Sequence, residues 1–231
     1  MNRSLAPLVL TAALALPAIA RAAGAEKPPF ADDIAAFEAA DRAKAPPQGA
    51  VLFVGSSSIR FWESLPQDFP GVETLDRGFG GSTVADCVRY ADRIVVPYHP
   101  RRIVFYAGDN DVAAGRSPRQ IAADFSAFVR KVRAALPGVP ILFISIKPSL
   151  ARWKLAAAIR KTNALIRADA AREKFDYLDV YAPMLGADGL PRKELFREDG
   201  LHMTAAGYAL WTKSIDSFVR GGVTPSARPA P

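Results

Sequence analysis

Cysteine and histidine are scarce in this chain of 231 residues, and the scarcity limits its chemistry. The single cysteine, Cys87, excludes an internal disulfide, and one cysteine with two histidines cannot build a zinc cluster. Cys87 falls on the apolar side of an expected helix, with Val84, Val88, Ala91, Ile94 and Val95, and reads as a small buried hydrophobe. A basic stripe interleaved with aromatics is also missing. The 30 Lys and Arg residues outnumber the 23 Asp and Glu, yet they are scattered in short pairs such as Arg101-Arg102 and Arg130-Lys131, as on solvated helix faces. No nucleic-acid partner is therefore expected. After Ala22 no further apolar run is long enough to span a membrane.

The N-terminal residues carry Arg3, an uncharged apolar run from Leu5 to Ala20, and Ala20-Arg21-Ala22 in the small-x-small form of a cleavage site. The run is shorter than the roughly 20 residues of a spanning helix, and Pro7 and Pro17 interrupt it. Residues 1–22 are expected to be a signal peptide, residues 23–220 one domain of ordinary size, and residues 221–231, rich in Gly and Pro, a disordered tail. No cysteine follows the run, so lipid attachment there is excluded. Loss of Arg3 and Arg21 would leave 28 basic against 23 acidic residues, a charge of +5. The expected destination is the periplasm or the medium. Half of the residues are hydrophobic and 23% are charged, a balance that supports a packed core.

Apolar runs alternate with helical patterns along the chain. Ala50 to Val54, Val72 to Leu75, Arg102 to Ala107, Pro140 to Ile146 and Phe175 to Val180 read as five strands. Helices are expected over Asp32 to Arg42, from about Thr83, from Ser117, over Lys154 to Arg172 and over Thr204 to Val219. Thr83 can cap its helix with Asp86 in the first turn, and Ser117-Pro118-Arg119-Gln120 has the form of a capping box with Pro at the first helical position. Such alternation implies a parallel sheet covered on both faces. The stretch between Val180 and Thr204 is long for a loop, and long loops in compact domains are often functional.

In open parallel sheets ligands bind beyond the carboxyl ends of the strands. Three of those ends carry glycine turns with polar groups: Gly55-Ser56-Ser57-Ser58, Gly78-Phe79-Gly80-Gly81-Ser82 and Gly108-Asp109-Asn110-Asp111. Serine needs a base before it can act as a nucleophile. His99 lies just before the third strand, at the amino edge, and reads as a surface turn residue. His202, in Glu198-Asp199-Gly200-Leu201-His202, is then the only base available. A tight turn at Gly200 can bring the Asp199 carboxylate to the imidazole and fix its tautomer.

With these blocks in order, the chain resembles the SGNH hydrolases, also called GDSL esterases and lipases. The resemblance runs from Val51 to about Ile215. It implies a three-layer α/β/α fold with a flavodoxin-like five-stranded parallel sheet, and a serine esterase without a cofactor. It places the nucleophile at Ser57, the oxyanion glycine at Gly81, the oxyanion asparagine at Asn110, and the acid and base at Asp199 and His202. Ser56 and Ser58 stand where the family has Asp and Leu, and they read as turn or cap residues. The implied oxyanion hole comprises the backbone N–H groups of Ser57 and Gly81 and the Asn110 amide; at Gly81 a side chain is expected to crowd the acyl group. Asp109 and Asp111 are implied to support the site and not to bind metal. Lys147-Pro148-Ser149, Arg152 and Trp153 fall on the same edge, where they can shape a pocket, while Trp62 and Trp153 fit either core or rim. The expected substrate is a small-molecule or carbohydrate ester with a short acyl or acetyl group. A catalytically silent binding module and an O-acyltransferase are the alternatives on the same scaffold. Neither the oligomeric state nor the acyl length is readable.

Overall fold

The structure, a computed structural model, describes residues 27–222. The expected signal peptide and nearly all of the expected tail lie outside the described residues. Five strands form one sheet: β1 (Val51–Gly55), β2 (Thr74–Gly78), β3 (Arg102–Tyr106), β4 (Ile141–Ile144) and β5 (Asp176–Leu178). Their order is β2-β1-β3-β4-β5 and every pairing is parallel, which is the flavodoxin-like arrangement. The helices are α1 (Ala31–Ala43), α2 (Ser57–Arg60), α3 (Leu65–Asp68), α4 (Val84–Ile94), α5 (Asp109–Ala113), α6 (Pro118–Ala135), α7 (Ala156–Glu173) and α8 (Ala205–Val219). Among the described residues no helix is long and apolar enough to cross a membrane.

Because side chains alternate along a strand, each central strand feeds two cores. Leu52, Val54, Ile103, Phe105, Ile141 and Phe143 pack with α4, α6 and α7 through residues such as Cys87, Ile94, Phe125, Phe128 and Ile159. Val51, Phe53, Val104, Tyr106, Leu142 and Ile144 pack with Trp62 and with α8 through Tyr208, Trp211, Ile215 and Phe218. Both faces are dry, which accounts for the continuous apolar runs of β1, β3 and β4. Trp62 is buried in the second core and its Nε1 donates to Asp68 at 2.6 Å, whereas Trp153 is only partly buried against the first core. Cys87 is fully buried, and burial pushes its thiol upward, away from thiolate chemistry.

Local signals place the helices. The expected capping boxes form at Thr83 with Asp86 and at Ser117 with Gln120, and Thr204 caps α8 through the Gly207 N–H. One boundary is corrected. β2 begins at Thr74, two residues later than its apolar pattern suggests, and runs through Arg77 and Gly78. The expected strand ends at Leu75, before the turn expected from Arg77 to Gly81. Arg77 is nevertheless buried: its guanidinium meets the Asp41 carboxylate of α1, donates to Tyr98 Oη at 3.0 Å, and lies over the Tyr98 ring.

α1 is stitched to the domain at several points. Ile34 is fully buried in the first core, Tyr90 donates to Pro29 O at 2.6 Å, and Arg93 donates to Glu38 at 2.6 Å. Phe30, just ahead of α1, takes a left-handed conformation with φ 63°, and its ring packs edge-on against Phe79 at 5.3 Å.

Candidate active site

Strand register brings the three glycine turns to one level. Gly55 pairs with Gly78 on one side and with Tyr106 on the other. Hydrogen bonds continue past the strand ends, from Phe79 N to Gly55 O at 2.9 Å and from Ser56 N to Tyr106 O at 3.0 Å. Consequently the chain leaves β1, β2 and β3 along a single rim.

Ser57 is the first residue of α2, directly after the turn out of β1. Its Oγ lies 3.1 Å from His202 Nε2. The neighbouring serines do not share that position: Ser56 and Ser58 are buried, and among the described residues the Ser56 hydroxyl has no hydrogen-bond partner. On the other side of the ring, His202 Nδ1 lies 2.6 Å from Asp199 Oδ2. The Asp199-Gly200-Leu201-His202 turn is closed by Asp199 itself, whose Oδ1 accepts from Leu201 N at 2.8 Å and His202 N at 2.9 Å. Burial acts to raise the Asp199 carboxyl, but hydrogen bonds from the Leu201 N–H and from the ring and N–H of His202 outweigh it and hold the group down at about 2. A permanent carboxylate therefore faces Nδ1, which favours the proton on Nδ1 and leaves Nε2 free to accept from the serine.

His99, in contrast, is exposed at the end of the short turn Val96–Tyr98, before β3 and at the opposite edge. The two histidines are thus separated as expected.

The second and third turns meet beside Ser57. A Cβ at Gly80 would lie 3.2 Å from Arg60 Nη1 and 4.0 Å from Ser57 Cβ, so Gly80 adjoins Ser57. At Gly81 a Cβ would meet nothing nearer than Phe30 Cε1 at 3.9 Å. Glycine suits position 81 because its φ is +84°, a conformation L side chains rarely adopt. Asn110 sits in the first turn of α5, and its Nδ2 donates to Ser82 O at 3.0 Å. Asp111 ties the same turns together, since both its oxygens accept from Val84 N, at 3.2 and 3.1 Å. Burial pushes the Asp111 carboxyl up to about 6, against the opposing pull of the Val84 N–H and Arg116. Among the described residues no group of three or more His, Cys, Asp or Glu side chains is arranged to hold a metal ion.

Several contacts escaped the sequence reading. Phe61, four residues beyond Ser57, packs edge-on against the His202 ring at 4.9 Å, and Arg197 lies over Phe61 at 5.5 Å. The i, i+4 spacing from Ser57 was the available signal for Phe61. Behind Asn110, Asp109 is buried between two cations, with Lys147 Nζ at 3.3 Å and Arg152 Nη1 at 3.0 Å. Burial pulls the Lys147 ammonium down while Asp109 opposes the shift. The loop after β4 also docks on the histidine turn, with Ala151 N donating to Gly200 O at 3.0 Å.

This rim belongs to a recognised class of hydrolase. Residues 50–210 match the GDSL-like lipase/acylhydrolase family, and the chain is a member of that family. A GDSL-like lipase from Bacteroides thetaiotaomicron superposes with a TM-score of 0.70 at 22% identity, covering 81% of this chain and 97% of that one. A member of the lipolytic G-D-S-L family from Veillonella parvula gives 0.63 at 17% identity, over 74% and 98% of the two chains. A catalytic mutant of an acetylxylan esterase from Geobacillus stearothermophilus gives 0.61 at 13% identity, over 80% and 100%. At these identities the likeness is one of fold. A comparison with curated proteins finds no match.

Proposed function

We propose that the protein is an exported serine esterase that cleaves short acyl or acetyl esters carried by small molecules or carbohydrates. The observation that carries the reading is the continuous line from Asp199 through His202 to Ser57, with contacts of 2.6 and 3.1 Å. In this mechanism His202 Nε2 takes the proton as Ser57 Oγ attacks the ester carbonyl, and Asp199 stabilises the imidazolium. The tetrahedral oxyanion is received by the backbone N–H groups of Ser57 and Gly81 and by the Asn110 amide. His202 then protonates the departing alcohol, and water repeats the cycle on the acyl-enzyme to release the acid.

The choice of substrate draws support from the rim. Arg60 beside Gly80, Arg197 over Phe61 and Arg152 on Asn110 line the surroundings of Ser57 with polar, cationic groups. Such a rim suits a hydroxyl-rich alcohol better than a lipid tail. Acetylxylan, an acetylated carbohydrate, is the substrate in the name of the Geobacillus esterase that shares the fold. Export rests on the charge and hydrophobic pattern of residues 1–22.

A fluorophosphonate probe tests the central point. The protein is expected to be labelled on Ser57 at neutral pH, and an unlabelled Ser57 in folded protein would favour a silent binding module. A panel of esters graded in acyl length, with acetylated sugars included, is expected to give the highest kcat/KM for acetyl and other short chains. Transfer to a sugar hydroxyl outpacing hydrolysis would instead identify an acyltransferase.

The pH profile is a second test. The folded-state carboxyl of Asp199 lies below its ordinary value, so it stays ionised well below neutrality and is neutralised only as the pH falls towards about 2. Protonation of Asp199 is therefore not what limits activity at mildly acid pH. In the proposed mechanism the histidine must be neutral to take the serine proton, so kcat/KM is expected to rise with pH on the acid side of neutrality. A flat profile there would remove His202 as the base.

A further inference from the structure

Asn110 has an amide held at both ends. Its Nδ2 donates to Ser82 O at 3.0 Å, and its Oδ1 accepts from Arg152 Nη2 at 2.9 Å. A carbonyl only accepts and a guanidinium only donates, so the two partners force the orientation of the amide. A flipped amide would set two donors against each other at Arg152 and two acceptors at Ser82. With one Nδ2 hydrogen committed to Ser82, the other is left on the edge beside the Gly80-Gly81-Ser82 turn, which itself adjoins Ser57.

We infer that Arg152 is a positioning residue for the oxyanion site, locking the Asn110 amide with its free N–H towards the Ser57 cleft. This rests on the serine esterase reading above. Arg152 is itself fixed from several directions. Its Nη1 pairs with the buried Asp109 at 3.0 Å, Lys147 holds the same carboxylate at 3.3 Å, and Tyr106 Oη accepts from Lys147 at 3.2 Å. Its own backbone N–H donates to Ser149 Oγ at 3.3 Å. The guanidinium is the one side chain with the geometry for this task, because a planar fork can meet Asp109 and Asn110 together. It also keeps its charge, and a cation on Oδ1 polarises the amide so that the remaining N–H becomes a stronger donor. The loop that carries Arg152 bonds to Gly200 through Ala151, so one segment registers the oxyanion side against the histidine turn.

The test compares Arg152→Met, Arg152→Lys, Asn110→Ala and the Asn110→Ala/Arg152→Met double variant, with p-nitrophenyl acetate as substrate and thermal unfolding followed in parallel. Arg152→Met is expected to lower kcat by about 10- to 100-fold with KM within about threefold, as a misplaced catalytic group does. Arg152→Lys keeps a cation for Asp109 and so guards the fold, yet is expected to recover little of the loss because it cannot bridge both partners. In the Asn110→Ala background the same Arg152→Met change is expected to cost less than about threefold, since nothing remains to orient. A rise in KM with kcat preserved would make Arg152 a substrate-binding group and overturn the inference. An equal loss with and without Asn110, or full recovery by lysine in folded protein, would overturn it as well. Wild-type protein inert towards p-nitrophenyl acetate and the rest of the ester panel would sink the esterase reading first, and the role of Arg152 with it.

Discussion

Ser57→Ala is expected to lower kcat by about 10⁴- to 10⁶-fold, while Ser56→Ala and Ser58→Ala stay within about threefold of the parent. The difference follows from geometry at three adjacent and chemically identical side chains. Only the Ser57 hydroxyl reaches His202, at 3.1 Å. Ser56 and Ser58 are buried away from the imidazole, and among the described residues the Ser56 hydroxyl has no partner, so alanine there removes a polar group that already lacks a bond. Such changes are close to neutral or mildly stabilising. Steady-state hydrolysis of p-nitrophenyl acetate by the three variants is the direct measurement. Substantial activity in Ser57→Ala, or loss in either neighbour with the fold intact, would move the nucleophile elsewhere in the triplet.

Gly55→Ala is expected to abolish the folded state or to destabilise it by more than about 4 kcal/mol, the range reserved for gross steric conflict. Gly55 ends β1 with φ +148°, and a Cβ there would lie 1.8 Å from Tyr106 O. That oxygen is not free to move, because it accepts from Ser56 N and belongs to the β1–β3 pairing that sets the level of the rim. Gly71→Ala provides the contrast. Gly71 also has positive φ, +77°, but nothing lies within 4 Å of the added carbon. It is expected to cost only about 1–2 kcal/mol, the penalty of the left-handed conformation alone. Urea unfolding of the two variants separates the effects. Equal midpoints would mean that the strand ends yield easily and that the level of the three turns is not fixed by close packing.

Much of this arrangement was legible in the linear order of residues. Buried parallel strands are apolar at every position, so β1, β3 and β4 stand out, and glycine must follow where one backbone presses on the next. His202 could be found because its rival His99 precedes a strand and His202 follows the last one. Asp199 was readable because a carboxylate three residues before the imidazole, with Gly200 between, can close its own turn.

What stayed hidden depends on pairings between distant segments. The extent of β2 turns on Arg77 meeting Asp41, a partner 36 residues away on another element. The bond from Arg152 to Asn110 spans 42 residues, and neither residue type announces it. The serine triplet offered only its alignment with the family and the place of Ser57 at the start of the turn into a helix to separate one hydroxyl from the next. The position of His202, 145 residues further on, distinguishes them.

α1 lies wholly before residue 50, where the match to the family begins. It is nonetheless a working part of the hydrolase body. A shortened polypeptide trimmed to the matched region would leave a greasy hollow where Ile34 had joined the first core. It would also strip the Arg77 guanidinium of the Asp41 carboxylate that neutralises it and of the Phe37 ring it lies over, two partners that α1 alone supplies. The boundary of the inherited catalytic unit and the boundary of the stable folding unit are therefore different places in this polypeptide.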